Sequence, residues 1–462
     1  MLTKYHILFI IACSCNLYAK ETISLKQLIE QSGKPHVVLT IDKLVLDLSD
    51  KCLEDITGIS TLEVIAPDGS TTMLSAIPNL AIDLDHNALT FIPDEISTLH
   101  NLTDLYLNHN NLRTIPAAIG YLYNLETLSF HNNDVHLLPL ELGALTRLVV
   151  LNIGFNHISQ LPAEIGNLTN LIKFYATNNH LTMLPASIEN LTSLETLFLD
   201  NNALITLPPE IGKLIKLTSL RANHNKIKEL PYQLGDLSHL EELLLEHNKI
   251  GNLPITIGNL GNLVMLRLSV NPLTILPETI GSLKNLQILY GNNMLLASVP
   301  KEIGALLHLR LLSLSHNQLD SLPEEIGLLS NLEVLTISNN QLTLLPATIG
   351  RLINLEGLNV SSNKLMSVTT RIGDLINIRK LLLYQNNLMT IPEEIGNLQK
   401  LEILVLNNNQ LTSLPASLRK LTHLRTFYIE NNKIASLPSA LENLSFIPEV
   451  EMHGNPIYEI QK

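Results

Sequence analysis

The sequence predicts an α/β solenoid, a stack of strand-and-return units, and two observations carry that prediction. Asparagine recurs every 23 residues: Asn87, Asn110, Asn133, Asn156, Asn179, Asn202, Asn225, Asn248 and Asn271, then Asn317, Asn340, Asn363, Asn386, Asn409, Asn432 and Asn455. The only missing rung is Met294. Around each asparagine the apolar residues keep fixed offsets. Residues 102–116 read LTDLYLNHNNLRTIP, that is Leu-x-x-Leu-x-Leu-x-x-Asn-x-Leu-x-x-Ile-Pro, and the pattern restarts 23 residues later. A period of this length marks units that cannot bury their apolar faces alone and so stack into one core.

Each element of a unit follows from its residue types. Leu102, Leu105 and Leu107 belong to a short strand, whose alternation puts Leu105 and Leu107 on one face. Leu112, Ile115, Ile119 and Leu122 complete the apolar set from the return segment. Asn110 lies where the strand turns away, and its amide, both donor and acceptor, suits the backbone groups that stacking takes from water. Pro116 fixes φ at the start of the return, which reads as a short helical turn. Gly120 and its eleven equivalents up to Gly396 suit either a left-handed turn or a close backbone contact.

These units resemble leucine-rich repeats of the short form that continues Leu-Pro-x-x-Ile-Gly-x-Leu-x-Asn, from about residue 79 onward. The resemblance implies a horseshoe, with parallel strands on the concave face and short helical or 3-10 turns on the convex face. It does not name a ligand, because one fold hosts many functions.

Before the repeats, residues 1–19, MLTKYHILFIIACSCNLYA, have the layout of a secretory signal: Lys4, an apolar run from Ile7, and small Ala19. Cleavage there leaves Cys52 as the only cysteine, expected to be a small buried residue. A lipid anchor at Cys13 is the second reading of this segment. Residues 20–78 read as an N-terminal cap. Ser24 and Gln27 form a capping box for a helix that Gly33 ends, Val37–Ile41 and Leu44–Leu48 read as strands, and Leu46 to Leu53 looks like a worn first repeat. Regular repeats occupy 79–446, and 447–462 hold a last partial repeat, where Glu442, Glu449 and Glu451 suit a unit facing water. No apolar stretch is long enough to span a membrane.

The side chains free to act lie between the core leucines on the inner strand face. In the central column Tyr175, Phe198, Arg221, Leu244, Arg267 and Tyr290 make an aromatic and cationic stripe, flanked by Asp200, Glu242 and Glu246. Tyr and Arg dominate binding energy at protein interfaces. The proposed ligand-binding residues are Tyr175, Phe198, Arg221, Arg267, Tyr290, Asp200 and Glu246. The plainer reading is that aromatics favour strands and stack on one another.

Histidines recur before the asparagine at His86, His109, His224, His247 and His316. His224 and His247 could share a metal with Glu246, but no third ligand has fixed spacing, and no metal or cofactor is expected. Asn-x-Ser/Thr triplets at Asn101, Asn167, Asn190, Asn359 and Asn443 arise mostly from the repeat consensus itself. The net charge of −13 and the lack of a basic stripe argue against nucleic acid. No catalytic triad, phosphate loop or zinc spacing is present. The sequence therefore reads as an exported, monomeric, non-enzymatic protein that is secreted, periplasmic or on the cell surface, and binds a protein or glycan. The absence of cysteine-rich caps tilts the source toward bacteria. The alternative is an intracellular scaffold resembling Ras-group leucine-rich repeat proteins, which lack an export signal.

Overall fold

The computed structural model describes residues 23–33, 35, 37–39, 44–441, 444 and 447–457. Residues 1–19, read above as a secretory signal, and Ile41, Glu442 and Asn443 lie outside the described residues. The chain divides into two compact units, Met1–Leu204 and Ile205–Lys462.

The first unit begins with the cap. Ser24 accepts from the Gln27 N–H while Gln27 Oε1 accepts from the Ser24 N–H, closing the expected capping box on the helix Leu25–Ser32. Gly33 ends that helix at φ 81° by donating to the Ile29 carbonyl at 2.8 Å. Strands Val37–Leu39 and Leu44–Asp47 pair antiparallel, and Leu44–Asp47 then runs parallel to Leu80–Asp83. In the stretch read as a worn repeat, Asn87 Oδ1 accepts from the N–H groups of Lys51 and Leu53, as later asparagines accept from the preceding turn. The irregular spacing of this stretch comes from an insertion in the return path. Strands Glu63–Ile65 and Thr71–Met73 form an antiparallel hairpin whose tip carries Asp68 and Gly69, at φ 84°. The Pro67-Asp68-Gly69 turn was a readable signal for this hairpin.

Cys52 departs from expectation. It is disulfide-bonded, half-buried and left-handed at φ 56°, not a lone buried thiol. The chain's other cysteines, Cys13 and Cys15, lie outside the described residues.

From Leu80 the first unit adds strands Leu102–Tyr106, Thr127–Ser129, Val150–Asn152, Lys173–Tyr175 and Thr196–Phe198, each parallel to its predecessor. The second unit repeats the arrangement from Ser219–Arg221 to Glu449–Glu451, with register advancing by 23 between neighbours. From Asp94–Thr98 to Ala416–Lys420 each return segment holds a five-residue 3-10 turn such as Ala117–Tyr121, opened by a proline whose carbonyl accepts the first bond. Where Thr369 replaces that proline, its hydroxyl caps the turn by accepting from the Arg371 N–H. Leu102, Leu105, Leu107, Leu112, Ile115, Ile119 and Leu122 are all buried, so the seven-residue set is the core.

The asparagine column explains the fixed period. Asn340 Nδ2 donates to the carbonyls of Ile337 and Ser338 in its own repeat and to Leu314, 26 residues earlier, at 2.9–3.2 Å. Its Oδ1 accepts from the Leu319 N–H at 3.0 Å. One side chain thus closes its own turn and fastens the preceding repeat. A second ladder was not foreseen. The asparagine of the Leu-x-Asn element donates to a carbonyl 24 residues earlier, as from Asn124 to His100 and from Asn331 to Leu307, both at 2.7 Å.

The glycine column resolves to close contact. At Gly235 a Cβ would lie 2.4 Å from the Thr256 carbonyl oxygen, whereas no glycine of the column has positive φ. The left-handed position is instead the residue before each asparagine, from His86 at φ 56° to Asn431 at φ 52°. Histidine and asparagine tolerate that conformation, which accounts for their recurrence there.

Candidate binding face

The central column occupies the last position of each three-residue strand, so register alone aligns it. In the first unit Tyr106, Ser129, Asn152, Tyr175 and Phe198 stand side by side. The Tyr175 and Phe198 rings meet edge-to-face with centroids 5.2 Å apart, a favoured aromatic geometry. Both are half-buried, as is Asp200 two residues beyond.

In the second unit the column runs Arg221, Leu244, Arg267, Tyr290, Ser313, Thr336. Leu244 is buried between the two flanking arginines in this register. Arg267 places its guanidinium carbon 4.8 Å from the Tyr290 ring centroid and Nη1 3.8 Å from Glu246 Oε2. Arg221 donates from Nη2 to Glu242 Oε2 at 3.3 Å, and the Ser219 hydroxyl donates to the same oxygen. The arginines are therefore held in place by carboxylates, and the stripe is charge-balanced rather than purely cationic. Past Tyr290 the column bonds to itself. Ser313 Oγ donates to Asn292 Oδ1 at 2.7 Å and lies 2.6 Å from Thr336 Oγ1, leaving fewer groups for a ligand.

The ends of the column are acidic. At Asp83, burial pushes the carboxyl up more than the hydrogen bond from the Asp85 N–H lowers it, and the charges of Asp85, Asp47 and Asp50 add to the rise. Tyr428 donates its hydroxyl to Glu449, which pushes the phenol up to about 12 and lowers the carboxyl.

The histidine column does not assemble as metal ligands with Glu246. His224 and His247 stack at 4.1 Å with planes 13° apart, so their in-plane lone pairs run side by side instead of converging. A different histidine group was missed. Arg113, Asp134, His136, His157 and His180 line an open cavity of about 460 Å³ in the first unit, on the turns just after the asparagines. Its signal was present as histidine at one or three residues past the repeated asparagine.

Comparison with known proteins agrees with this architecture. Residues 119–205, 208–300, 297–370 and 366–455 match the family described as leucine-rich repeat region, and 81–135 match leucine rich repeat. A leucine-rich repeat protein of Leptospira interrogans is 37% identical, with TM-score 0.72, covering 80% of this chain and 94% of its own. The functional domain of InlJ from Listeria monocytogenes has TM-score 0.60 at 20% identity, covering 84% of this chain and 73% of its own. That likeness concerns fold alone. No curated protein matches the chain. Among the described residues, no helix is long and apolar enough to cross a membrane.

Proposed function

The chain belongs to the leucine-rich repeat family, and from that premise we propose that it is an exported binding protein that engages a protein partner through its strand face. The observation that carries this reading is the Arg267–Tyr290 pair. A guanidinium lying over an aromatic ring, oriented by Glu246 and half-buried in the strand row between Leu244 and Ser313, is a preorganised anchor of the kind that concentrates binding energy. Tyr175 and Phe198 offer a second, aromatic anchor in the first unit.

Truncating one anchor residue typically costs about 2 kcal/mol of binding, a factor of roughly 30, so removing both members of the pair should weaken the complex by at least that factor. The test uses the protein as bait to isolate its partner, then compares variants by calorimetry. Arg267→Ala with Tyr290→Ala is expected to lose affinity on that scale. Glu324→Ala with Glu325→Ala, on the 3-10 turns, is expected to leave it unchanged. Damage from the second pair with silence from the first would place binding on the other face. A glycan array with the same variants separates a carbohydrate ligand from a protein one.

Export rests on the Lys4, apolar run and Ala19 layout. N-terminal sequencing of the native protein is expected to begin at Lys20; that cleavage removes Cys13 and Cys15, so Cys52 of the mature protein would be left without the disulfide it has here, as a thiol that labelling can detect. A start at Met1 would favour the intracellular scaffold, and a lipidated Cys13 a membrane anchor.

A further inference from the structure

The last two repeats bring together a group of side chains that the binding face does not use. Glu430, Glu451 and His453 each offer one ligand atom, and these atoms all lie within 4.8 Å of one another. His453 Nε2 is 2.9 Å from Glu430 Oε1, and its Nδ1 is 3.8 Å from Glu451 Oε2. The Glu430 side chain is only 16% exposed. Its other oxygen, Oε2, accepts from Asn407 Nδ2, so the carboxylate is fixed from behind with Oε1 turned to the histidine. Among the described residues neither glutamate pairs with a lysine or arginine.

We propose that Glu430, Glu451 and His453 form a binding site for a zinc-class divalent ion. One imidazole nitrogen and two carboxylate oxygens are a donor set that zinc takes at about 2.0–2.2 Å, with ligands roughly 3.3 Å apart in a tetrahedron. The present spacing closes to that by rotation of the two exposed side chains, Glu451 and His453, while Glu430 stays where Asn407 holds it. Such a hydrogen bond from behind a ligating carboxylate is the support that metal ligands require. Calcium and magnesium prefer all-oxygen shells, so the imidazole selects against them. Glu430 comes from one repeat and Glu451 and His453 from the next, so the ion ties the two repeats together. Three protein ligands leave the fourth position open to water or to a donor from a partner.

The experiment titrates zinc chloride into chelator-treated full-length protein by calorimetry, with calcium and magnesium chloride in parallel, and follows the thermal melt. Saturable zinc binding with a raised melting temperature is expected, without a matching response to calcium or magnesium. His453→Ala and Glu430→Gln should each weaken it at least tenfold. His453 is more than half exposed, so His453→Ala leaves the core intact, and an unchanged metal-free melt checks this. The proposal is overturned if no zinc binds, if calcium binds equally well, or if affinity survives both variants. Zinc binding that is lost in His157→Ala but kept in His453→Ala would assign the metal to the histidine-lined cavity instead, and likewise overturns it.

Discussion

Met294 is the residue at which sequence and structure disagree most usefully. The sequence suggests a missing hydrogen-bonding rung beside a void at Gly291, where other repeats place residues such as Leu268 or Leu314. The structure shows the two departures compensating. Met294 is buried, and its terminal methyl carbon lies 2.6 Å from where a Cβ on Gly291 would stand, so the methionine fills the space that the glycine leaves. What remains lost is the bond to the preceding repeat. Leu273 N–H, the counterpart of the Ile250 and Leu296 groups that asparagines receive, has no hydrogen-bond partner among the described residues. Met294→Asn alone would satisfy that group but open a cavity, and the two effects, each about 2 kcal/mol, nearly cancel. Gly291→Leu alone overpacks against Met294 and Leu314 and costs about 2 kcal/mol. The double variant restores the consensus and is expected to exceed the wild type by about 2 kcal/mol. Thermal melts of the four proteins form the cycle, and additive single effects would refute the compensation.

The repeat unit owes its spacing to the glycine column. In the second unit, the 3-10 turn Tyr232–Asp236, which contains Gly235, approaches the next one so closely that a methyl group on Gly235 would meet the carbonyl oxygen and Cβ of Thr256 at 2.4 and 2.6 Å. Backbone cannot swing aside as a side chain can. Gly235→Ala is therefore expected to destabilise by about 2 kcal/mol despite alanine's better helical propensity. Gly251→Ala, where a Cβ meets nothing within 4 Å, is the control and should be near neutral. Equal melting temperatures for the two variants would show that the turns can separate freely.

For the whole molecule, stability accrues between neighbours along each unit, because neighbouring strands pair and the asparagines, such as Asn340, bond to the adjacent repeat. Damage should stay local in such an array. Asn340→Ala removes bonds shared by two repeats and leaves the buried Leu319 N–H unsatisfied, a cost of about 2 kcal/mol. Hydrogen exchange is expected to quicken across residues 314–365 and to remain unchanged at 44–110. Uniform acceleration along the chain would mean that it unfolds as one cooperative body.

The sequence by itself determined the period, the strand and return assignment, the buried leucines, the capping box and the face on which Tyr175, Phe198, Arg221, Arg267 and Tyr290 lie. These are legible because each depends on residues close in the chain or on a spacing of 23, and translation along a solenoid converts that spacing directly into contact. Tertiary structure alone decided what meets across that spacing. It paired Arg221 with Glu242 and Arg267 with Glu246, turned Met294 back into the space of Gly291, and gave the glycines close contact while histidine and asparagine took the left-handed turn. It also brought Glu430, Glu451 and His453 to one point. Those outcomes depend on side-chain rotamers and on how closely adjacent backbones approach, and neither quantity is written in the order of the residues.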